Sequence, residues 1–310
     1  MGDRTLNLRA FDIKECCAKL FNAIVIGKKH TGKSTLIQDM LYYLSREGVP
    51  RVCVFSGTEE SNGFYKQFVP GTFIFDDKDV ENRLEAIVEN QKKLAMQKQL
   101  GEVDRKLDTR IVIVLDDVGY KKDVLKSEII RQIFMNGRHH YVILIVACQY
   151  CMDVGIDLRT NADYVLVLKQ NSVSSIKNLH ENYFGAFDKR KEFQIVLDAC
   201  TQNYQCLVLD NTRPSTMVSD VCFWYKAKHG RVFRVGCLEL WKYHDRWYIS
   251  DEERYLENMK RCRNSIQKEQ PSDEMPSDYM IDNPGPRGKK SMKSRPKKES
   301  SKLVVTKKER

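Results

Sequence analysis

No apolar stretch in this 310-residue chain is long enough to cross a bilayer, since runs such as Val142 to Cys148 fall far short of the roughly 20 residues a spanning helix needs. Charges interrupt the first 20 residues, so the expectation is no secretory leader and a protein made and kept in a reducing compartment inside the cell. Also missing is a second C-x-x-C or a histidine pair at zinc-like spacing. Cys148-Gln149-Tyr150-Cys151 stands alone, as two cysteines that flank a strand end. The other cysteines fit a reducing compartment, with Cys53, Cys148, Cys206 and Cys222 inside expected strands as small apolar residues. Most of the chain also lacks net charge. Pro286 to Arg310 hold eleven Lys/Arg against two Glu, +9 of the formal +10, which leaves the body near neutral. Prolines, serines and few apolar residues accompany those charges, so a disordered tail is expected, suited to tethering nucleic acid or to import.

What is present is led by Gly27-Lys28-Lys29-His30-Thr31-Gly32-Lys33-Ser34, which fits the phosphate-binding P-loop G-x-x-x-x-G-K-[ST]. Chance produces this string in a chain of such length about once in a hundred sequences. Its context is the required one. Ala23 to Ile26 is a β-branched run that ends at Gly27, and Leu36, Met40, Leu41 and Leu44 then recur at helical spacing, with Gly48 as a stop. Backbone N–H groups of the loop and the positive end of the helix dipole converge on a polyphosphate. Gly27, Lys28, Lys29, His30, Thr31, Gly32, Lys33, Ser34 and Thr35 are the candidate nucleotide-binding residues, with Lys33 on the β- and γ-phosphates and Ser34 on Mg2+.

A chain of this length holds one large α/β domain with an appendage, or two modest domains. The pattern predicts strands at Arg51–Phe55, Thr72–Phe75, Ile111–Leu115, Tyr141–Cys148, Tyr164–Leu168, Cys206–Leu209 and Val221–Tyr225. Helices are expected near Asp79–Lys98, Leu125–Met135, Ser174–Phe184 and Lys189–Ala199, with a polar loop over Ser56–Gly63. Strands separated by helices predict a mostly parallel sheet with helices on both faces and ligands at the strand C-terminal ends. Residues 1–250 are expected to form the P-loop domain, and 251–310 a charged helix over Asp251–Gln267 followed by the basic tail.

Binding is not hydrolysis, which needs a carboxylate on the metal and a second group to orient water. Ile111-Val-Ile-Val-Leu-Asp116-Asp117 supplies both, with Asp116 suited to the metal and Asp117 to polarising the water. The alternatives are Asp117 as a cap of the following turn and Glu59 as the base. Gln149, at the tip of a strand expected beside this one, is placed to touch the γ-phosphate or the lytic water. Arg138 and Arg159 flank that strand where an arginine can leave the domain surface and stabilise transition-state charge in a neighbouring subunit.

Together GKKHTGKS, IVIVLDD, Asn136-Gly-Arg-His-His140, ACQ ending at Gln149, and Leu158-Arg-Thr-Asn-Ala-Asp163 resemble the FtsK–HerA superfamily of ring ATPases. Within it the chain is similar to the poxvirus-type genome-packaging ATPases of nucleocytoplasmic large DNA viruses, over roughly Phe21 to Tyr225, including Glu181–Phe184 and Cys206–Asp210. The resemblance implies a RecA-like core assembled as a homo-oligomeric ring that uses ATP and Mg2+ to drive double-stranded DNA into a capsid. Viral capsid or membrane proteins are then partners, and the host cytoplasm, viral factory, virion or nucleus its place. It assigns Lys33 and Ser34 to phosphate and Mg2+, Asp116 to the metal, Asp117 to catalysis and Gln149 to sensing. Many superfamily members have Glu at the position of Asp117, so a shorter side chain must reach the water. Arg138 is preferred over Arg159 as the arginine acting in trans, because it precedes the sensor strand. Two other functions fit a P-loop: a small-molecule phosphotransferase, although no arginine-bearing lid stands out, and a nucleotide-dependent interaction module.

Overall fold

Runs of β-branched and apolar residues become the strands of one nine-stranded sheet: β1 (Arg9–Ala10), β2 (Asn22–Ile26), β3 (Arg51–Ser56), β4 (Ile74–Phe75), β5 (Ile111–Asp116), β6 (Val142–Cys148), β7 (Tyr164–Val167), β8 (Gln205–Asp210) and β9 (Cys222–Lys226). The computed structural model describes residues 6–118, 124–250 and, further on, 253, 254, 256, 257, 259 and 260. Strand order across the sheet is β1-β9-β8-β7-β2-β6-β5-β3-β4. Every neighbouring pair is parallel except β7–β8 and β8–β9, so β8 alone is reversed. β6 lies between the P-loop strand β2 and the Asp-Asp strand β5 and pairs with both along its length.

The central strands are continuous apolar runs because both sides of the sheet are covered. Successive side chains of a strand point to opposite faces, and the buried residues divide accordingly into two cores. Ile24, Ile26, Ile113, Leu115, Leu144 and Val146 pack on one side with Leu84, Val88, Ile130, Ile133, Phe193 and Leu197 of the flanking helices. Ala23, Val25, Val112, Val114, Ile143 and Ile145 pack on the other with Leu36, Met40 and Leu41 of the helix Lys33–Arg46. Burying each Leu, Ile or Val contributes about 1.5–3 kcal/mol, so two such layers dominate the stability of the domain. Gly48, at φ 73, ends the helix as its spacing predicts, with Val49 N–H donating to Leu44 O at 3.1 Å.

Several boundaries differ from the pattern. Helix Glu128–Asn136 begins three residues later than expected, because Ser127 takes an extended cap conformation (φ −64, ψ 154) and leaves Val124–Lys126 as a separate 3-10 turn. Tyr141 is left-handed at φ 58 and falls outside β6. Within the stretch read as a polar loop, Glu59–Asn62 forms a helical turn. Five elements carry too weak a period to be anticipated: β1, the helix Ile13–Cys17 capped by Asp12, the short helices Ile156–Asn161 and Val218–Val221, and the helix Leu238–Trp247. The chain divides into two units at Ser250, and the first carries the sheet. The charged helix expected over Asp251–Gln267 and the basic tail Pro286–Arg310 lie outside the described residues, apart from the six helical positions between 253 and 260. No helix among the described residues is long and apolar enough to cross a membrane.

Candidate nucleotide site

The parallel strands β2, β5 and β6 end at the same sheet edge, and their tips assemble the site. At the end of β2, Gly27 N–H donates to Cys148 O of β6 at 3.1 Å. A β-carbon on Gly27 would lie 2.6 Å from Thr31 Oγ1 and 2.9 Å from Leu168 Cδ1, so any larger residue there would force these side chains to shift. His30 and Gly32 take left-handed φ values of 63 and 103, and Thr31 Oγ1 donates to Lys28 O at 2.7 Å. This leaves the Lys28, Lys29 and His30 side chains in solvent, while Ser34 and Thr35 sit half-buried on the first helical turn beside buried Lys33.

Lys33, Asp117 and Gln149 meet from three different elements. Lys33 Nζ lies 3.5 Å from Asp117 Oδ1, and Gln149 Nε2 donates to the same oxygen at 3.1 Å. Asp117 adopts the left-handed φ 54, a conformation that Asp tolerates better than most non-glycine residues. The backbone turns sharply after β5, so adjacent carboxylates point to different partners.

Asp116 is 4% exposed, and its Oδ2 accepts a 2.8 Å hydrogen bond from the Tyr65 hydroxyl. Its other oxygen, Oδ1, is buried without a protein donor. An orphaned buried carboxylate oxygen is costly unless another group completes it. Burial pushes the Asp116 carboxyl up to about 6, opposed by the Tyr65 hydrogen bond and reinforced by the charge of Asp117. The donor set fits magnesium: one carboxylate and the Ser34 hydroxyl leave positions for phosphate oxygens and water, as Mg2+ prefers. Among the described residues no cluster of three or more His, Cys, Asp or Glu offers an all-protein metal cage.

Glu59 has a different duty. It is buried, and its two oxygens accept from Tyr65 N–H at 3.0 Å and Lys66 N–H at 2.9 Å. Both are thereby engaged in fixing the turn that delivers Tyr65 to Asp116, away from the role of base that its position suggests. Tyr65 escaped notice in the sequence. The signal was the Phe64-Tyr65-x-x-Phe68 aromatic cluster just after Gly63, too apolar for an open loop.

The two arginines part company. Arg138 is half-exposed in the 3-10 turn Gly137–His140 and pairs with Asp163, joining the NGRHH and LRTNAD segments. Asp163 Oδ2 also accepts from Asn22 N–H at 2.8 Å. These residues sit where β2, β6 and β7 begin, at the edge of the sheet opposite the P-loop. Arg159 does not leave the surface as its position predicts. It is 8% exposed, with Nε donating to Val154 O at 2.8 Å and Nη1 to Asn182 Oδ1 at 2.6 Å, and its guanidinium 5.7 Å from the Tyr183 ring centre. The short helix Ile156–Asn161 turns it inward, which suits a structural pin better than a trans-acting group. Cys148 and Cys151 are both free and buried. Burial pushes both thiols up, Cys151 to about 11, consistent with inert packing.

Residues 8–232 match the family described as Poxvirus A32 protein. Protein L437 of Acanthamoeba polyphaga mimivirus is 32% identical over 226 residues, covering 73% of this chain and 78% of that one. Protein 075L of Invertebrate iridescent virus 6 is 31% identical over 238 residues, covering 76% of this chain and 88% of the relative. In fold, the domain is similar to the solved structure of the genome packaging NTPase B204 from Sulfolobus turreted icosahedral virus 2 in complex with sulfate. The TM-score is 0.50 at 16% identity, over 68% of this chain and 98% of that one.

Proposed function

This chain belongs to the family of the Poxvirus A32 protein, and on that premise we propose that it is an ATP-hydrolysing motor that drives double-stranded viral DNA into a capsid. The observation that carries the ATPase reading is the convergence of Lys33 and Gln149 on one oxygen of Asp117, beside an Asp116 whose free oxygen lacks a donor. The genome-packaging role draws on the family and on the likeness in fold to B204, a genome packaging NTPase.

In this reading the loop Gly27–Thr35 binds the triphosphate through backbone N–H groups, and Lys33 exchanges the Asp117 carboxylate for the β- and γ-phosphates. Ser34 and Asp116 would hold Mg2+, which when bound neutralises charge on the phosphate oxygens. Release of Lys33 frees Asp117 to accept a hydrogen bond from the attacking water and orient it in line with the γ-phosphate. Gln149, attached to Asp117 by its amide, registers whether the γ-phosphate is there. Arg138, in its half-exposed turn, is the arginine offered to a neighbouring subunit of a homo-oligomeric ring. Capsid or viral membrane proteins would anchor the ring.

The test is steady-state ATP hydrolysis by the full chain with and without duplex DNA. A motor is stimulated several-fold by duplex DNA. Stimulation by a nucleoside acceptor instead, with formation of a phosphorylated product, would replace the motor with a phosphotransferase. Response to neither would leave an interaction module.

A further inference from the structure

Since β8 alone is antiparallel, its first residue, Gln205, lies at the edge where β2, β6 and β7 end. The turn that feeds it is therefore delivered to the P-loop. Gln205 N–H donates to Gln202 O at 2.9 Å, closing a turn in which Asn203 and Tyr204 both take left-handed φ values, 51 and 62. Two consecutive non-glycine residues in that region are uncommon. The conformation does not bury the aromatic ring it carries: Tyr204 is 71% exposed. That ring stands over the residue that opens the P-loop helix. A β-carbon on Gly32 would lie 3.5 Å from Tyr204 Cδ1 and 3.8 Å from its Cβ. A strained turn thus holds an accessible aromatic ring against the phosphate-binding turn.

We propose that Tyr204 is the platform on which the base of the bound nucleoside triphosphate stacks. The inference rests on Gly27–Thr35 being the triphosphate site. With phosphates on the loop amides, the nucleoside extends past Gly32, where the exposed ring meets the base with its π-face. Every base has such a face, so the contact adds affinity without choosing among bases. ATP and GTP should accordingly bind with affinities within a few-fold of each other.

The experiment compares equilibrium binding of ATP and of inorganic tripolyphosphate, both with magnesium, to the full chain. Tyr204→Ala should weaken ATP about tenfold and leave tripolyphosphate unchanged. Tyr204→Phe should bind both normally, and the fluorescence of Tyr204→Trp should respond to ATP but not to tripolyphosphate. Undiminished ATP affinity in Tyr204→Ala would overturn the proposal. So would equal losses for the two ligands, which would make the ring a prop for the loop. Should the unaltered chain bind neither ligand, the triphosphate site itself is refuted and the platform with it.

Discussion

Tyr65 and Asp116 share a 2.8 Å hydrogen bond in which a buried phenol donates to a buried carboxylate. Burial, followed by the neighbouring Asp116 charge, pushes the Tyr65 hydroxyl up, so it remains a donor throughout the working pH range. One carboxylate oxygen is tied down by protein, and the other is left for something else.

That arrangement makes Asp116 a source of instability when nothing completes it. An aspartate held at about 6 in the fold, against about 4 when unfolded, favours the folded state only when protonated. The penalty is full above pH 6 and disappears as pH falls through 6 toward 4. Asp116→Asn should therefore stabilise the nucleotide- and magnesium-free protein by up to about 3 kcal/mol at pH 8, and by almost nothing near pH 4. Urea denaturation at the two pH values checks this. An equal gain at both would mean that the Asp116 charge is not strained.

Lys33→Ala should abolish ATP turnover, because the γ-phosphate loses its main cationic partner. Asp117→Asn should still bind Mg·ATP while hydrolysis falls by about 100-fold or more, the size of a general-base contribution. Nucleotide binding and single-turnover hydrolysis separate the two. Lost binding in Asp117→Asn with retained binding in Asp116→Asn would reverse the assigned roles.

Arg138→Ala and Arg159→Ala should fail in different ways. Arg138 is half-exposed and buried Asp163 keeps the hydrogen bond from Asn22 N–H when the guanidinium is removed, so the first variant should fold with a modest loss of stability. Mixed into unaltered protein, it should depress ATPase activity more than in proportion to its share, because each variant subunit disables a neighbour. A linear decline would place Arg138 outside the shared site. Arg159→Ala instead strands Val154 O and Asn182, lowering stability by about 1–3 kcal/mol and Tm by several degrees.

Removing residues 286–310 takes away +9 of the formal +10 charge. DNA affinity carried by Lys/Arg falls steeply with salt through counterion release. The truncated chain should bind duplex DNA more weakly and with a flatter salt dependence, yet reach nearly the same ATPase rate at saturating DNA. Filter binding across a salt series measures the slope. An unchanged slope would assign the tail to import or to a capsid contact.

Much of the site was legible because its parts are local. A β-branched run ending in Gly27, another ending in Asp116-Asp117 and a third ending in Gln149 each announce a strand tip, and parallel strands bring such tips to one edge. What could not be read was decided by contacts between distant residues. The inward turn of Arg159 depends on Asn182, 23 positions away, and the engagement of Glu59 depends on the amides of Tyr65 and Lys66. The reversal of β8 has no sequence signature, since its apolar run Cys206–Leu209 reads the same in either direction.

The position of β6 makes it a mechanical element. Its seven residues span about 23 Å, clamped by hydrogen bonds to β2 on one side and β5 on the other. One end of this bar carries Gln149, hydrogen-bonded to Asp117, and the turn bearing Arg138 abuts the other. A strand so braced neither stretches nor bends easily. If Gln149 shifts when a γ-phosphate binds, the braced strand would pass that shift to the turn bearing Arg138 as travel of a push-rod rather than flexing of a hinge.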